Sequence, residues 1–308
     1  MAAWALRRLA LAVASLWVVA TATFLLLHAI PGDPFASGLV GLSTDSLLRH
    51  RDGLDLPLGR QYLAFLAGLM RGRLGTSLVN PQQSVRGLLA QGLGVSALLG
   101  AEALCWALGG GLLLGLYWAY HPRGAGAVMA LVLSLVGLAV PNFVLALVLD
   151  WLVGVHFRLL PVAGWGSFQD SILPSLTLGM AALAVVARLI RAGAAPLRRS
   201  GWVRTARAAG LTEWQILWRH VLRNAALPVL TALGPMAAGL ITGSLAIEQV
   251  FALPGLGALY VQSILDRDYP VVLGLTIFYA SLLVAFNLLV DLGYALLDPR
   301  LRPWRDAA

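Results

Sequence analysis

Residues 188–228 read RLIRAGAAPLRRSGWVRTARAAGLTEWQILWRHVLRNAALP, a basic stretch set between two apolar runs. It holds eight of the chain's 22 basic residues: Arg188, Arg191, Arg198, Arg199, Arg204, Arg207, Arg219 and Arg223. Glu213 is the one acid within it. A charge at the centre of a bilayer costs roughly 2.5–3.5 kcal/mol on insertion scales, so this stretch belongs in water. Arg-rich connections between spans stay on the cytoplasmic side, which orients everything on either side of it.

The composition agrees with a membrane chain. Of 308 residues, 59% are hydrophobic and 12% charged, about half the charged share of a soluble domain. The apolar runs are too long for barrel strands, so the expected class is all-α and integral to the membrane, with backbone hydrogen bonds satisfied inside each helix. Six spans are read, at 9–30, 95–118, 127–153, 172–190, 227–250 and 271–296. The first follows Arg7 and Arg8, and Ala20 and Ala22 resemble a signal cleavage site; its apolar run continues to Ile30, longer than a signal core, and reads as an uncleaved helix. With the N-terminus inside, the inner segments carry Arg7, Arg8, Arg123, the eight arginines above, Arg300, Arg302 and Arg305, against Arg158 and Arg267 in the two short outer loops. The remaining six arginines lie in a long outer segment, 31–94, where charge has little say in topology. Both termini are therefore expected in the cytoplasm. The outer segment is expected to form a small cap of short helices broken at Gly53, Pro57, Gly59, Gly72 and Pro81. The expected divisions are 1–94, the first helix with the outer segment; 95–297, five helices with a cytoplasmic loop at 191–226; and 298–308, a cytoplasmic tail.

The net charge of +8 does not point to nucleic acid, because the arginines flank apolar spans as topology signals do. All 22 basic residues are Arg, and without Lys no Walker A phosphate loop can form. Cys105 is the single cysteine, so an internal disulfide is excluded. The five histidines are scattered, no metal-ligand spacing occurs, and no catalytic set is visible.

Within the basic stretch, residues 203–209 favour helix, Gly210 stops it, and Thr212 is placed to cap a second helix over 213–222. Thr205, Ala206, Ala208 and Ala209 make a small, smooth tip with Arg204 and Arg207 beside it, and Trp214 and Trp218 share a face. A plain basic loop on a lipid surface accounts for the Arg and Trp residues. It leaves the Ala-Ala-Gly tip without a role.

The order Trp202-Val-Arg-Thr-Ala-Arg-Ala-Ala-Gly210-Leu211, then Arg219-His-Val-Leu-Arg-Asn224-Ala-Ala-Leu-Pro228, resembles the coupling loop of ATP-binding-cassette importer permeases. It is most similar to the dipeptide, oligopeptide and nickel branch. Arg204, Thr205 and Ala206 stand where the general importer pattern has Glu-Ala-Ala; Ala209 replaces a usual Lys, and Arg223 a Pro. Further matches run along nearly the whole chain. They include residues 31–34, Gly53 to Pro57, Gln61 to Leu63, Leu74 to Ser77 (with Arg73 where an Asp is usual), Pro141 and Phe143. Beyond them come Glu248 to Gly257 (with Leu253 for a usual Trp), Asp266 to Pro270, Asn287, Asp291 and Asp298 to Arg300.

The resemblance implies a permease subunit forming half of a translocation path for peptides or a related small solute, a nickel chelate included. Arg204, Thr205, Ala206, Arg207, Ala208, Ala209, Gly210 and Leu211 would dock on an ATPase subunit. Pro141 and Asn142 would line the path. Glu248, Phe251, Pro254, Gly255 and Gly257 would form its outer mouth. The implied partners are a second permease subunit, two ATPase subunits that carry ATP and Mg, and an extracytoplasmic solute-binding protein. Membrane lipid surrounds the chain, which would bind no cofactor of its own.

Two other readings stay open. One is an ion-driven carrier using Glu102, Asp150 and Asp291 as a relay, since ionisable residues in spans are functional candidates; the other is a lipid-binding scaffold. Glu102 matches nothing in the family pattern and either faces a pathway or is paired in the bundle. Gly111-x-x-x-Gly115 and Gly239-x-x-x-Gly243 read as helix-packing sites.

Overall fold

A computed structural model describes residues 2–29, 55–197, 200–241 and 245–297, with the side chains of 2–5 and 290–297 left aside. The residues at 31–34, Gly53, Arg198, Arg199, Gly243, Arg300, Arg302, Arg305 and the side chain of Asp291 lie outside that description. The described residues form helices and connecting turns; their sole β contact is an isolated bridge between Thr76 and Ser84.

In chain order the helices are α1 (Ala2–Ala29), α2 (Leu58–Met70), α3 (Val85–Tyr120), α4 (Ala125–Ala139) and α5 (Asn142–Leu149), the last continuing as a π-helical stretch (Asp150–His156). Then come α6 (Phe168–Leu197), α7 (Gly201–Ala208), α8 (Glu213–Ile216), a second π-helical stretch (Leu217–Leu222) and α9 (Arg223–Ala225). The series closes with α10 (Leu227–Ile241), α11 (Leu245–Val250), α12 (Leu256–Leu265) and α13 (Tyr269–Leu297).

Five stretches are long and apolar enough to cross a membrane: Leu6–Ala29, Val85–Tyr120, Phe168–Leu197, Leu227–Val250 and Tyr269–Leu289. A sixth is built from two pieces, α4 and α5 with its π-helical extension, bent by 118°. The sequence reads the span at 127–153 as kinked at Pro141, and the break does fall there, though its angle far exceeds a kink. Pro141 lacks an N–H, and its ring bars the helical conformation from the preceding residue. Val140 is accordingly extended (φ −87°, ψ 126°), and Pro141 (φ −56°, ψ 138°) caps a new helix. The second expected span begins ten residues early, at Val85 rather than Val95, and α3 is about 54 Å long at 1.5 Å per residue. Of the outer segment, the described residues 55–94 contain α2 and the first ten residues of α3. The sequence reading also missed α12, which at ten residues is about 15 Å long and too short to give a spanning signal.

The chain divides into two compact units. The first comprises residues 1–95 and 254–285. Its core gathers Phe24, Leu27, Leu78, Tyr269, Val272 and Leu273, with a second cluster of Val85, Leu89, Leu256, Val271 and Leu275. Asp268, almost fully buried at the start of α13, accepts hydrogen bonds from the Ser77 hydroxyl and from the Leu78 N–H at 3.1 Å. Burial holds its carboxyl above the usual aspartate range, against the opposing pull of those donors.

The second unit comprises residues 96–253 and 286–308. Small residues bring its helices into backbone contact. A Cβ on Gly111 would stand 2.7 Å from Val186 Cβ, one on Gly115 2.5 Å from the Ala187 carbonyl, and one on Gly179 2.6 Å from the Ala103 carbonyl. The α3–α6 seam is therefore the packing site expected of the Gly111/Gly115 pair. Of the second pair only Gly239 lies among the described residues, and a Cβ there would meet nothing within 4 Å in this chain.

Candidate functional site: the loop between α6 and α10

The basic stretch folds into a two-helix knob on the ends of α3 and α6. Val203, Ile216, Val221 and Ala225 are buried against Ala119 of α3 and Ala194 of α6, with Leu116, Tyr120, Ala206 and Leu211 packed around them. Burying a Val or Ile side chain is worth about 1.5–3 kcal/mol, so three such anchors fix the loop to the helix ends rather than leaving a tether. Gly193 permits the fit: a Cβ there would lie 2.8 Å from Ala225 Cα.

The opposite surface is exposed and small. Arg204, Thr205, Arg207, Ala208, Ala209 and Gly210 are all exposed, while Ala206 and Leu211 turn partly inward. Gly210 ends α7 in the left-handed region, with φ 82°. Its N–H donates to the Arg207 carbonyl (3.0 Å) and the Leu211 N–H to the Ala206 carbonyl (3.2 Å), the paired bonds of a Schellman stop. A Cβ at Gly210 would meet nothing within 4 Å. The glycine is thus required by backbone conformation and leaves an uncovered tip.

Thr212 restarts the chain with a reciprocal capping box. The Gln215 N–H donates to Thr212 Oγ1 at 3.3 Å, and the Thr212 N–H to Gln215 Oε1 at 3.0 Å. The expected second helix over 213–222 is regular α only to Ile216 and then widens into the π-helical stretch. Arg207 forks onto Glu213, Nε to Oε1 at 2.5 Å and Nη2 to Oε2 at 3.1 Å, spanning the turn around Gly210. The carboxylate holds this guanidinium charged beyond its ordinary range, chiefly through that hydrogen bond. Trp214 and Trp218 do share a face, with ring centroids 5.2 Å apart. Arg204, like Arg207, is exposed.

The other expected site residues are not gathered with the loop. Pro141 and Asn142 form the sharp bend between α4 and α5. In the second unit Glu248 is fully buried and accepts a 2.8 Å hydrogen bond from Ser96 Oγ. Phe251 is buried as well, and its carbonyl accepts from the Gly164 N–H at 3.2 Å. The stop of α11 is a second Schellman turn: Leu253 N–H donates to the Glu248 carbonyl (2.8 Å) and Ala252 N–H to that of Gln249 (3.3 Å). By sequence alone Pro254, Gly255 and Gly257 read as a tight turn. The left-handed residue is instead Ala252, at φ 51°, while Gly255 is extended (φ −94°) and caps α12, in which Gly257 lies. Gly255 and Leu256 close over Gly92 within the first unit, where a Gly92 Cβ would be 3.0 Å from the Leu256 N.

Of the acidic trio, Glu102 Oε1 lies 3.0 Å from the Ser171 hydroxyl, and one α-turn on the Trp106 indole donates to Ser175 Oγ at 3.1 Å. Glu102 Oε2 and Asp150 Oδ1 are buried without a hydrogen-bond partner. Among the described residues no hydrogen bond joins Glu102 to Asp150 directly.

Sequence reasoning did not find Gly193 or the anchor set Val203, Ile216 and Val221. These residues carry no chemical signature, and only the docking of the loop on α3 and α6 selects them.

Long apolar helices, a span broken at proline and a rigid basic knob at one end of a helix bundle define a membrane transport subunit. The comparisons give the particular family. Residues 111–303 match the binding-protein-dependent transport system inner membrane component, and residues 1–87 match the N-terminal part of that membrane component. The chain belongs to this family and is a multi-pass inner-membrane component of an importer of the ATP-binding-cassette type. It is 38% identical over 302 residues to the dipeptide transport system permease protein DppB of Lactococcus lactis, covering 98% of this chain and 100% of that one. It is 37% identical over 299 residues to the oligopeptide transport system permease protein OppB of Haemophilus influenzae, covering 96% and 98%. A crystal structure of an amino acid ABC transporter with histidines aligns at a TM-score of 0.50 and 21% identity, over 68% of this chain and 94% of that one, a likeness of fold.

Proposed function

We propose that this chain imports peptides as one half of a paired permease, with ATP hydrolysed by partner subunits. The observation that carries the reading is the exposed Ala208–Ala209–Gly210 tip on a knob anchored to α3 and α6 by a buried apolar cluster. A rigid anchor with a small tip suits a part that must transmit displacement: whatever seats the tip moves two membrane helices with it. Nucleotide closure of paired ATPases would then bias the helices between two states. The knob would face the cytoplasm with both termini, as the arginine distribution requires. Peptide cargo is inferred from the relatives' names, and an outer binding protein would deliver it.

Site-directed crosslinking tests the docking role. With Cys105→Ser as background, Ala208→Cys is expected to crosslink to a co-expressed ATPase subunit, and Asn80→Cys, remote in the chain, is not. Absence of the first crosslink, with the ATPase still co-purifying, would move the docking surface elsewhere. Peptide uptake that persists when the ATPase gene is deleted would remove the importer mechanism itself.

A further inference from the structure

We infer that the second unit carries a specific site for an anionic phospholipid, formed by Arg188, Arg191 and Trp118 at the end of the bundle that bears the loop. A cavity of about 320 Å³ opens there, lined by Trp118 of α3, Leu131 of α4, and Arg188, Arg191, Ala192 and Ala195 of α6. The Arg191 guanidinium sits over the Trp118 ring, its carbon 3.7 Å from the ring centroid. Stacking occupies the face of a guanidinium and leaves its edge N–H groups free to fork onto a phosphate. Arg188, three residues earlier on the same helix face, is exposed.

Neither arginine has an ion pair or hydrogen bond among the described residues, in contrast to Arg207, which is clamped by Glu213. No carboxylate lines the cavity. Two cations with no carboxylate partner among the described residues therefore sit beside a tryptophan close to the ends of apolar helices, the level at which phospholipid headgroups lie.

The apolar surface below distinguishes a lipid from a free phosphate. Leu131, at the rim, begins an exposed stripe on α4 that continues through Leu135 and Leu138, away from the loop end and toward the apolar middle of the span. An acyl chain fits along it while the headgroup phosphate meets the arginines. The site also adjoins the loop anchor, since Ala195 lines the cavity and packs against the loop cluster. A lipid bound here would stiffen that anchor.

The test is lipid retention by the intact importer. The complex is purified from phosphatidylcholine membranes containing phosphatidylglycerol, exchanged into neutral detergent, and its bound lipid is counted by native mass spectrometry. Wild type is expected to retain phosphatidylglycerol over phosphatidylcholine. Each of Arg188→Gln and Arg191→Gln is expected to lower that retention about fivefold, the effect of one basic residue at a lipid surface. Arg219→Gln with Arg223→Gln removes twice that charge from the loop and is expected to leave retention unchanged. Equal loss in this control would reduce the effect to diffuse basic attraction and overturn the site. Leu131→Trp, which keeps both charges and fills the cavity, is expected to abolish retention, and wild-type retention in that variant would also overturn it. Displacement of the lipid by soluble glycerol phosphate would assign the site to a free phosphate instead.

Discussion

Gly210 offers a substitution in which folding and docking separate. Its φ of 82° demands the left-handed region, yet a Cβ there would touch nothing within 4 Å of this chain. A β-branched residue pays the conformational cost in full, roughly 1–2 kcal/mol, and weakens the Schellman bonds at Arg207 and Ala206. Asparagine tolerates the left-handed region and costs a few tenths of a kcal/mol, while its side chain projects from the tip. Gly210→Val is thus expected to loosen the loop and Gly210→Asn to leave it intact. If the tip seats in a cleft on an ATPase subunit, both variants fail in transport and for different reasons. The assay reconstitutes the importer in vesicles and measures peptide uptake and ATP hydrolysis together, with thermal unfolding as the control for folding. The expected result for Gly210→Asn is wild-type unfolding with uptake reduced at least about tenfold, equivalent to about 1.4 kcal/mol of lost coupling. Wild-type uptake by Gly210→Asn would refute the argument, because the glycine would then serve the turn alone.

Four further outcomes follow from the same geometry. Gly193→Val forces a side chain against Ala225 Cα and is expected to destabilise the loop anchor by about 1–3 kcal/mol, seen as faster proteolysis at the loop in the purified protein. Ala252→Gly relieves the left-handed alanine at the end of α11 and is expected to raise stability by up to about 1 kcal/mol in thermal unfolding, with a fall marking the turn as unstrained. Glu102→Gln is expected to preserve ATP-driven uptake, since the Ser171 hydroxyl that meets Glu102 Oε1 can equally donate to an amide oxygen; abolished uptake with intact folding would favour the ion-driven carrier. Asp268 binds its proton more tightly folded than unfolded, so its contribution is present below the ordinary value of 3.8 and lost as pH rises through the raised one. Asp268→Asn is expected to flatten that acidic-range dependence in unfolding measured against pH.

The legibility of the chain varied with the kind of signal. Spans at 172–190 and 271–296 were found because a bilayer demands about 20 apolar residues, and the observed helices contain both intervals. Pro141 was legible as an interruption, but the 118° bend was not, since proline sets a local ψ and packing on α6 sets the final direction. The loop tip was readable from Gly210 and Thr212, whose roles depend on bonds to residues three to five positions away. Its anchors were not, because Val203 and Ile216 look like any apolar residues until Ala119 and Ala194 are brought against them.

The sequence by itself determined that this is a helical membrane transport subunit, with eight of its 22 arginines in one loop stretch and no lysine for a phosphate site of its own. Those conclusions rest on solvation of charge and backbone, which acts residue by residue. Tertiary structure alone decided that the loop is a rigid knob and not a tether. It also decided that Glu248 is held by Ser96, and that Arg191 lies on Trp118. These depend on contacts between residues up to 152 positions apart, and no local rule of spacing or charge can place such pairs together.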